Sequence, residues 1–198
     1  MKKFCMVLVA LCLLAACSSG AEEARTWNGF RGVDWGATID DVIRAEGREP
    51  DNRVSLPLVS GETETEIIYK TTVSKFTENA EVYYSFLNGG RLIGAAYAIR
   101  SGENYDEDHA YLELALTKVY GNPSEDGAEA FSGLLALYGM EPDRLKDVVC
   151  WIVDDTAIML FSNISDPDTC RVLYFGKGWF EQNASSTEAP EQINTDGL

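Results

Sequence analysis

Two helices with clear start and stop signals divide the chain, and a group of short strands follows each of them. Thr38 and Asp41 form a capping-box pattern that predicts a helix over 39–46. Gly47 and Pro50 end this helix. Because a similar order of signals recurs once, the sequence favours a fold built from two helix-plus-strand units.

The second helix is predicted to begin after Asn104, with Glu107 at the box position. Gly121 and Pro123 end it. Its inward residues repeat at helical spacing: Leu112, Leu116 and Val119.

Six strands are predicted, at 66–73, 81–87 and 91–100 after the first helix and at 148–153, 157–161 and 171–175 after the second. The expected fold class is α+β. Two αβββ units, about 30–100 and 104–176, share an antiparallel sheet with the helices packed on one face. An insertion, about 125–147, is predicted to carry a short third helix over 128–138.

A tight turn at Asn88-Gly89 is predicted to pair Leu87 with Gly90 and to sort the hairpin side chains onto two faces. One face is bulky: Val82, Tyr84, Phe86, Ile93, Ala95 and Tyr97. The other is apolar but small: Tyr83, Leu92, Gly94, Ala96 and Ala98. Since the helices cover one face only, the second needs the inserted helix or a curled sheet as cover, or else it is a partner-binding surface.

The chain begins with the residue order of an export signal. Lys2 and Lys3 precede an apolar run, Phe4 to Leu14, that is too short to span a membrane as a helix. Leu14-Ala15-Ala16-Cys17 resembles a bacterial lipobox, in which the cysteine is lipidated and becomes the mature N-terminus. The alternative is an ordinary cleaved signal that leaves a soluble protein.

The lipobox resemblance implies a signal peptide over 1–16 and a tether over 17–26 that is acylated at Cys17. A single domain is then predicted over 27–181, with a polar, disordered tail over 182–198. The expected location is a bacterial cell membrane or outer membrane, with the folded domain outside the cytoplasm and the lipid bilayer as a partner.

The chain is strongly acidic, with 16 basic and 32 acidic side chains and a formal net charge of −16. Loss of Lys2 and Lys3 with the signal would make it −18. Such a surface repels phosphate backbones, so a nucleic-acid partner is not expected.

Cys150 and Cys170 remain as a candidate disulfide in an oxidising compartment. If their strands flank a middle strand, the Cα atoms would lie roughly 10 Å apart, whereas a bridge needs about 7 Å or less. The bridge is therefore expected only if Cys170 lies in a loop.

Two further segments resemble motifs of small bacterial secreted lipoproteins. Phe30-Arg31-Gly32-Val33-Asp34-Trp35-Gly36, which leads into Thr38, looks like their Trp-Gly-x-Ser/Thr-x-x-x-Val opening. Val119-Tyr120-Gly121-Asn122-Pro123 and Cys150-Trp151 resemble their later Tyr-Gly-x-Pro and Trp portion. The resemblance implies a tandem helix-plus-meander fold, similar to β-lactamase-inhibitor-like and outer-membrane assembly lipoproteins, and it carries no catalytic residue.

No pattern in the sequence predicts catalysis, a metal site or a cofactor. His109 is the sole histidine, so a histidine-based zinc site is not expected, and the residue is interpreted as a surface or half-buried helix position. The carboxylates at 103–108 suit a helix start, and the oxygen-rich loop 163–168 lacks the glycine and glutamate of an EF-hand.

The leading functional hypothesis is therefore a non-enzymatic, membrane-anchored module that binds another envelope protein through its sheet face or loops. The alternative is an envelope lipoprotein that binds a small ligand or a cation through acidic loops.

Overall fold

The computed structural model describes residues 28–58, 61–73, 76–125, 131, 135, 141–176 and 178. Two α-helices lie in this part of the chain: α1 Ile39–Glu46 and α2 Tyr105–Tyr120. The strands are β1 Gly29–Phe30, β2 Val33–Asp34, β3 Asn52–Pro57, β4 Thr63–Val73, β5 Phe76–Leu87, β6 Arg91–Arg100, β7 Leu145–Val153, β8 Thr156–Asn163 and β9 Asp166–Gly176. Short 3-10 turns lie at Gly102–Asn104 and Pro142–Arg144.

Strands β3 to β9 form one antiparallel sheet in the order β3-β4-β5-β6-β9-β8-β7. The α+β class is confirmed, since this seven-stranded sheet is accompanied by two helices and by a small β1–β2 sheet. Each predicted strand is present and most are longer than predicted. Strand β3 was not predicted, because its side chains are mostly exposed and show no alternating apolar pattern.

Helix α1 confirms its predicted cap. The Thr38 hydroxyl accepts from the Asp41 amide at 3.3 Å, and the Asp41 carboxylate accepts from the Thr38 amide at 3.0 Å. Gly47 closes the helix with φ 69°, a conformation that glycine adopts without strain.

Helix α2 has the predicted bounds but a different start. Asn104 makes no side-chain capping hydrogen bond, so the predicted capping box is wrong. The residue has φ −93° and ψ 14°, outside the extended region from which a cap side chain reaches the first-turn amides. The 3-10 turn at Gly102–Asn104 leads into the helix instead.

The β5–β6 hairpin has a longer loop than predicted. Leu87 pairs with Arg91, and a bulge then shifts the register, so that Phe86 pairs with Leu92 while Ser85 pairs with Gly94. The bulge turns Leu92 into the core on the bulky face, which corrects its predicted place on the small face.

Two cores lie on opposite faces of the sheet. The helix-covered face packs against both helices through Val42, Leu112 and Leu116. On the second face, Phe131 and Leu135, which have helical backbone, cover only the β7–β9 half. The expectation that inserted residues cover the second face is therefore confirmed for this half, although most of the predicted helix 128–138 lies outside the described residues.

The predicted signal peptide 1–16, the tether 17–26 with Cys17, and the tail 182–198 also lie outside the described residues. Within the part that is described, no helix is long and apolar enough to cross a membrane.

Candidate functional site

The second face carries a cavity of about 270 Å³ over β4, β5, β6 and the adjoining part of β9, with Phe161 of β8 at its edge. We call this cavity the open-face pocket. Its lining combines carboxylates and hydroxyls with small residues on the floor, and its far wall consists of apolar side chains and a guanidinium group. The lining residues are Glu64, Glu66, Tyr83, Ser85, Ala95, Ala96, Tyr97, Ala98, Phe161, Arg171, Leu173 and Phe175.

Strand alternation and register bring these residues together. Glu64 and Glu66 lie two apart on β4 and therefore share a face. Glu66 pairs with Ser85, Ser85 with Gly94, and Gly94 with Phe175, so one row crosses four strands. A Cβ atom on Gly94 would lie 2.6 Å from the Phe175 ring, so glycine is needed for the ring to lie across the strand.

The β4 side of the pocket is negatively charged. Burial, followed by the neighbouring charge of Glu64, raises the pKa of Glu66 to about 7, against an opposing hydrogen bond with Ser85. Glu64 itself is only 1% exposed. The two carboxylates therefore meet in a poorly hydrated place, where a second negative charge is costly.

The far side of the pocket is already neutralised. Arg171 Nη2 donates to Asp166 Oδ2 at 2.5 Å, and its Nη1 is buried without a hydrogen-bond partner among the described residues. Between the two sides, the Tyr83 hydroxyl donates to Glu81 Oε2 at 2.7 Å, and burial raises the Tyr83 pKa.

The lipoprotein-like motifs lie away from this pocket and hold the fold together. Trp35 Nε1 donates to Thr156 Oγ1 at 3.0 Å, and Trp151 Nε1 donates to the Gly121 carbonyl at 3.0 Å. Phe30 packs against Tyr84, Tyr97 and Tyr174 at centroid distances of 4.8 to 5.5 Å. These contacts give both motifs a structural role.

His109 is buried at 8% exposure, deeper than predicted. Its Nε2 lies 2.8 Å from the Asp147 carbonyl, which accepts, so this nitrogen carries the proton. The Tyr105 hydroxyl donates to the Asp147 carboxylate at 3.1 Å. Both contacts fasten α2 to the β7 strand.

The predicted Cys150–Cys170 bridge is absent, and both thiols are free and buried. Cys170 lies in β9 and packs in the helix-covered core, whereas Cys150 lies in β7 and packs in the core of the second face. Strand β8 separates them and they face opposite sides of the sheet, so a bridge cannot form. Burial raises the pKa of Cys150 to about 12 and that of Cys170 to about 11.

The acidic segments considered for cations do not come together. Asp166 pairs with Arg171, and Asn163 accepts from the Ser165 amide. Across the ranges given above, no group of three or more His, Cys, Asp or Glu side chains is placed to hold a metal ion.

Sequence reasoning anticipated the small floor but missed the carboxylates. Glu64 precedes the strand predicted to begin at residue 66, so its position beside Glu66 on the second face was not foreseen. The alternation Thr63-Glu64-Thr65-Glu66 was the available signal.

Comparison with protein-family models, with curated proteins and with solved structures finds no match to this chain.

Proposed function

We propose that this protein is a lipid-anchored, non-enzymatic binding module of the bacterial envelope. Its partner is another envelope protein, held at the open-face pocket. The observation that carries the proposal is this pocket, most of which lies on strands that Phe131 and Leu135 do not cover. Acylation at Cys17 would confine the domain near the bilayer and raise its effective concentration there.

The proposal that the protein is not an enzyme is supported by the burial of His109, Cys150 and Cys170. His109 is engaged by the backbone of Asp147. Cys150 and Cys170 are buried thiols with raised pKa values, which disfavours the reactive thiolate.

We also propose that the fold arose from two related units, as the lipoprotein resemblance implies. The arrangement of the sheet supports this proposal. Strands β4-β5-β6 run inward from one side and β7-β8-β9 from the other, so that the last strand of each group meets its counterpart at the centre. A helix precedes each group.

A small ligand or a cation is the second candidate occupant. It is favoured by the size of the pocket, about 270 Å³, and by the paired carboxylates of Glu64 and Glu66 on one side of it. Small-molecule sites typically combine such an apolar lining with a few polar groups.

Crosslinking in intact membranes tests the binding proposal. Ala96→Leu places a larger side chain on the pocket floor, and Ala110→Leu is the same change at an exposed position of α2. We expect Ala96→Leu to reduce the yield of crosslinked complex and Ala110→Leu to leave it unchanged. Equal yields from the two variants would contradict the proposal.

A further inference from the structure

We propose that the open-face pocket recognises an alkylammonium group, with the charged nitrogen at Glu66 and Glu64 and the carbon chain over Ala96 and Ala98. This inference rests on the proposed function, because it names the chemistry of the occupant of the same pocket. The sources of such a group are a free primary amine and a lysine side chain of a partner protein.

The shape of the pocket requires an occupant with one charged end. The carboxylates lie on β4, whereas Ala96 and Ala98 form an apolar floor on the next strand but one. Leu173 and Phe175 continue the apolar surface on β9. A compact ion leaves this floor uncovered, and a purely apolar molecule makes no polar contact with the half-buried carboxylate of Glu66.

The charges on the β4 side of the pocket determine the sign of that end. The main influences on Glu66 are burial, the charge of Glu64 and the hydroxyl of Ser85, and none of these is a positive charge. The guanidinium group of Arg171 is bound to Asp166 on the far side. A cation beside Glu66 therefore relieves the repulsion between the two carboxylates.

The available oxygen ligands favour an ammonium over calcium or zinc. An ammonium group has three donors, which match the two carboxylates and the Ser85 hydroxyl. Calcium takes six to eight oxygen ligands and zinc prefers nitrogen or sulfur, so neither fits a donor set of this kind.

Calorimetric titration of the full chain in nonionic detergent tests the inference. The probe is n-butylamine, and n-butanol is its neutral match, with empty micelles titrated as the blank. Glu66→Gln removes the charge while keeping the shape, and Glu107→Gln is the matched control at an exposed position of α2. We expect n-butylamine to bind about tenfold or more tightly than n-butanol, and Glu66→Gln to remove that advantage while Glu107→Gln keeps it.

The possible failures are distinguishable. If n-butanol binds as tightly as n-butylamine and Ala96→Leu abolishes both, the ammonium inference is overturned while the pocket remains a binding site. If neither probe binds, n-butylamine leaves the membrane complex intact, and Ala96→Leu leaves crosslinking unchanged, the inference and the proposed function both fail.

Competition separates the two sources of the ammonium group. If n-butylamine releases the crosslinked partner from the wild-type protein, and acetylation of the partner's lysines prevents complex formation, the group belongs to a partner lysine. If n-butylamine binds with the Glu66 dependence stated above and has no effect on the partner, a free amine is the occupant, and the proposed docking of an envelope protein at this pocket fails. Both results support the inference.

Discussion

Two residues of β4, Glu64 and Glu66, supply the carboxylates of the open-face pocket. Glu66 is the clearest case, because its environment is assembled from two neighbouring strands, β4 and β5. Burial and Glu64 act on it from one side, and Ser85 acts from the next strand. The sequence alone could not show this, since the effect depends on the register between β4 and β5.

The raised pKa of Glu66 makes stability depend on pH. Between about pH 4.5 and 7 the folded state binds more protons than the unfolded state, so the free energy of unfolding falls as pH rises through this range. We expect Glu66→Gln to be more stable than the wild type at pH 8, by roughly 2 kcal/mol, and to lose this advantage below pH 4.5. Urea unfolding at both pH values measures it.

Glu107→Gln is the control for that comparison, because Glu107 is exposed on α2. A stability difference for Glu66→Gln that stays constant from pH 4 to 8 would contradict the assigned environment.

Individual elements differ in how far they follow from the sequence. Helix α1 could be predicted with its caps, because Thr38, Asp41 and Gly47 interact only with their near neighbours. The place of Leu92 could not be predicted, because it depends on a bulge opposite Ser85 and Phe86. The start of α2 could not be predicted either, because it depends on residues distant in the chain. The Ser101 amide, which precedes the 3-10 turn, donates to the Asp168 carbonyl of β9.

The capping box of α1 gives a direct test at this scale. We expect Thr38→Ala to lower the free energy of unfolding by about 1 kcal/mol, because the Asp41 amide loses its acceptor. Thr38→Ser keeps the hydroxyl and should change stability little. Chemical denaturation followed by tryptophan fluorescence measures both, and equal losses for the two variants would argue against the cap.

The cover on the β7–β9 half gives a second test. Phe131 is 0% exposed and packs in the core of the second face. We expect Phe131→Ala to cost about 3–5 kcal/mol, since a large aromatic side chain is removed from a closed core.

Leu114→Ala is the matched control, because Leu114 is 70% exposed on α2. Its expected effect is within about 0.5 kcal/mol. A loss for Phe131→Ala no larger than that of the control would mean that these residues do not cover the sheet.

The chain as a whole is acidic, and among its described residues Phe131 and Leu135 cover one half of the sheet while the open-face pocket lies mostly over the other. The formal net charge is −16, and two of the acidic side chains that contribute to it, Glu64 and Glu66, line the pocket. The fold class could be predicted from the helix start and stop signals and the groups of strands, and the small floor of the second face could be predicted from strand alternation. The pocket could not, because it brings together residues as distant in the chain as Glu64 and Arg171.

Attachment to the bilayer is a prediction about the whole chain. We expect radioactive palmitate to label the wild-type protein, and Cys17→Ser to lose the label and leave the membrane fraction. Labelling followed by cell fractionation measures both properties. The lipid anchor would be contradicted if the wild type carried no label and appeared in the same cell fraction as Cys17→Ser.

Site-specific photocrosslinking in living cells measures directly whether a partner protein docks at the open-face pocket. A photoreactive phenylalanine analogue replaces Ala98 in the open-face pocket in one strain and exposed Leu114 of α2 in another. We expect a discrete adduct at position 98 that n-butylamine suppresses, and none at position 114. Adducts of equal yield at both positions, or an adduct at position 114 alone, would contradict docking at the pocket.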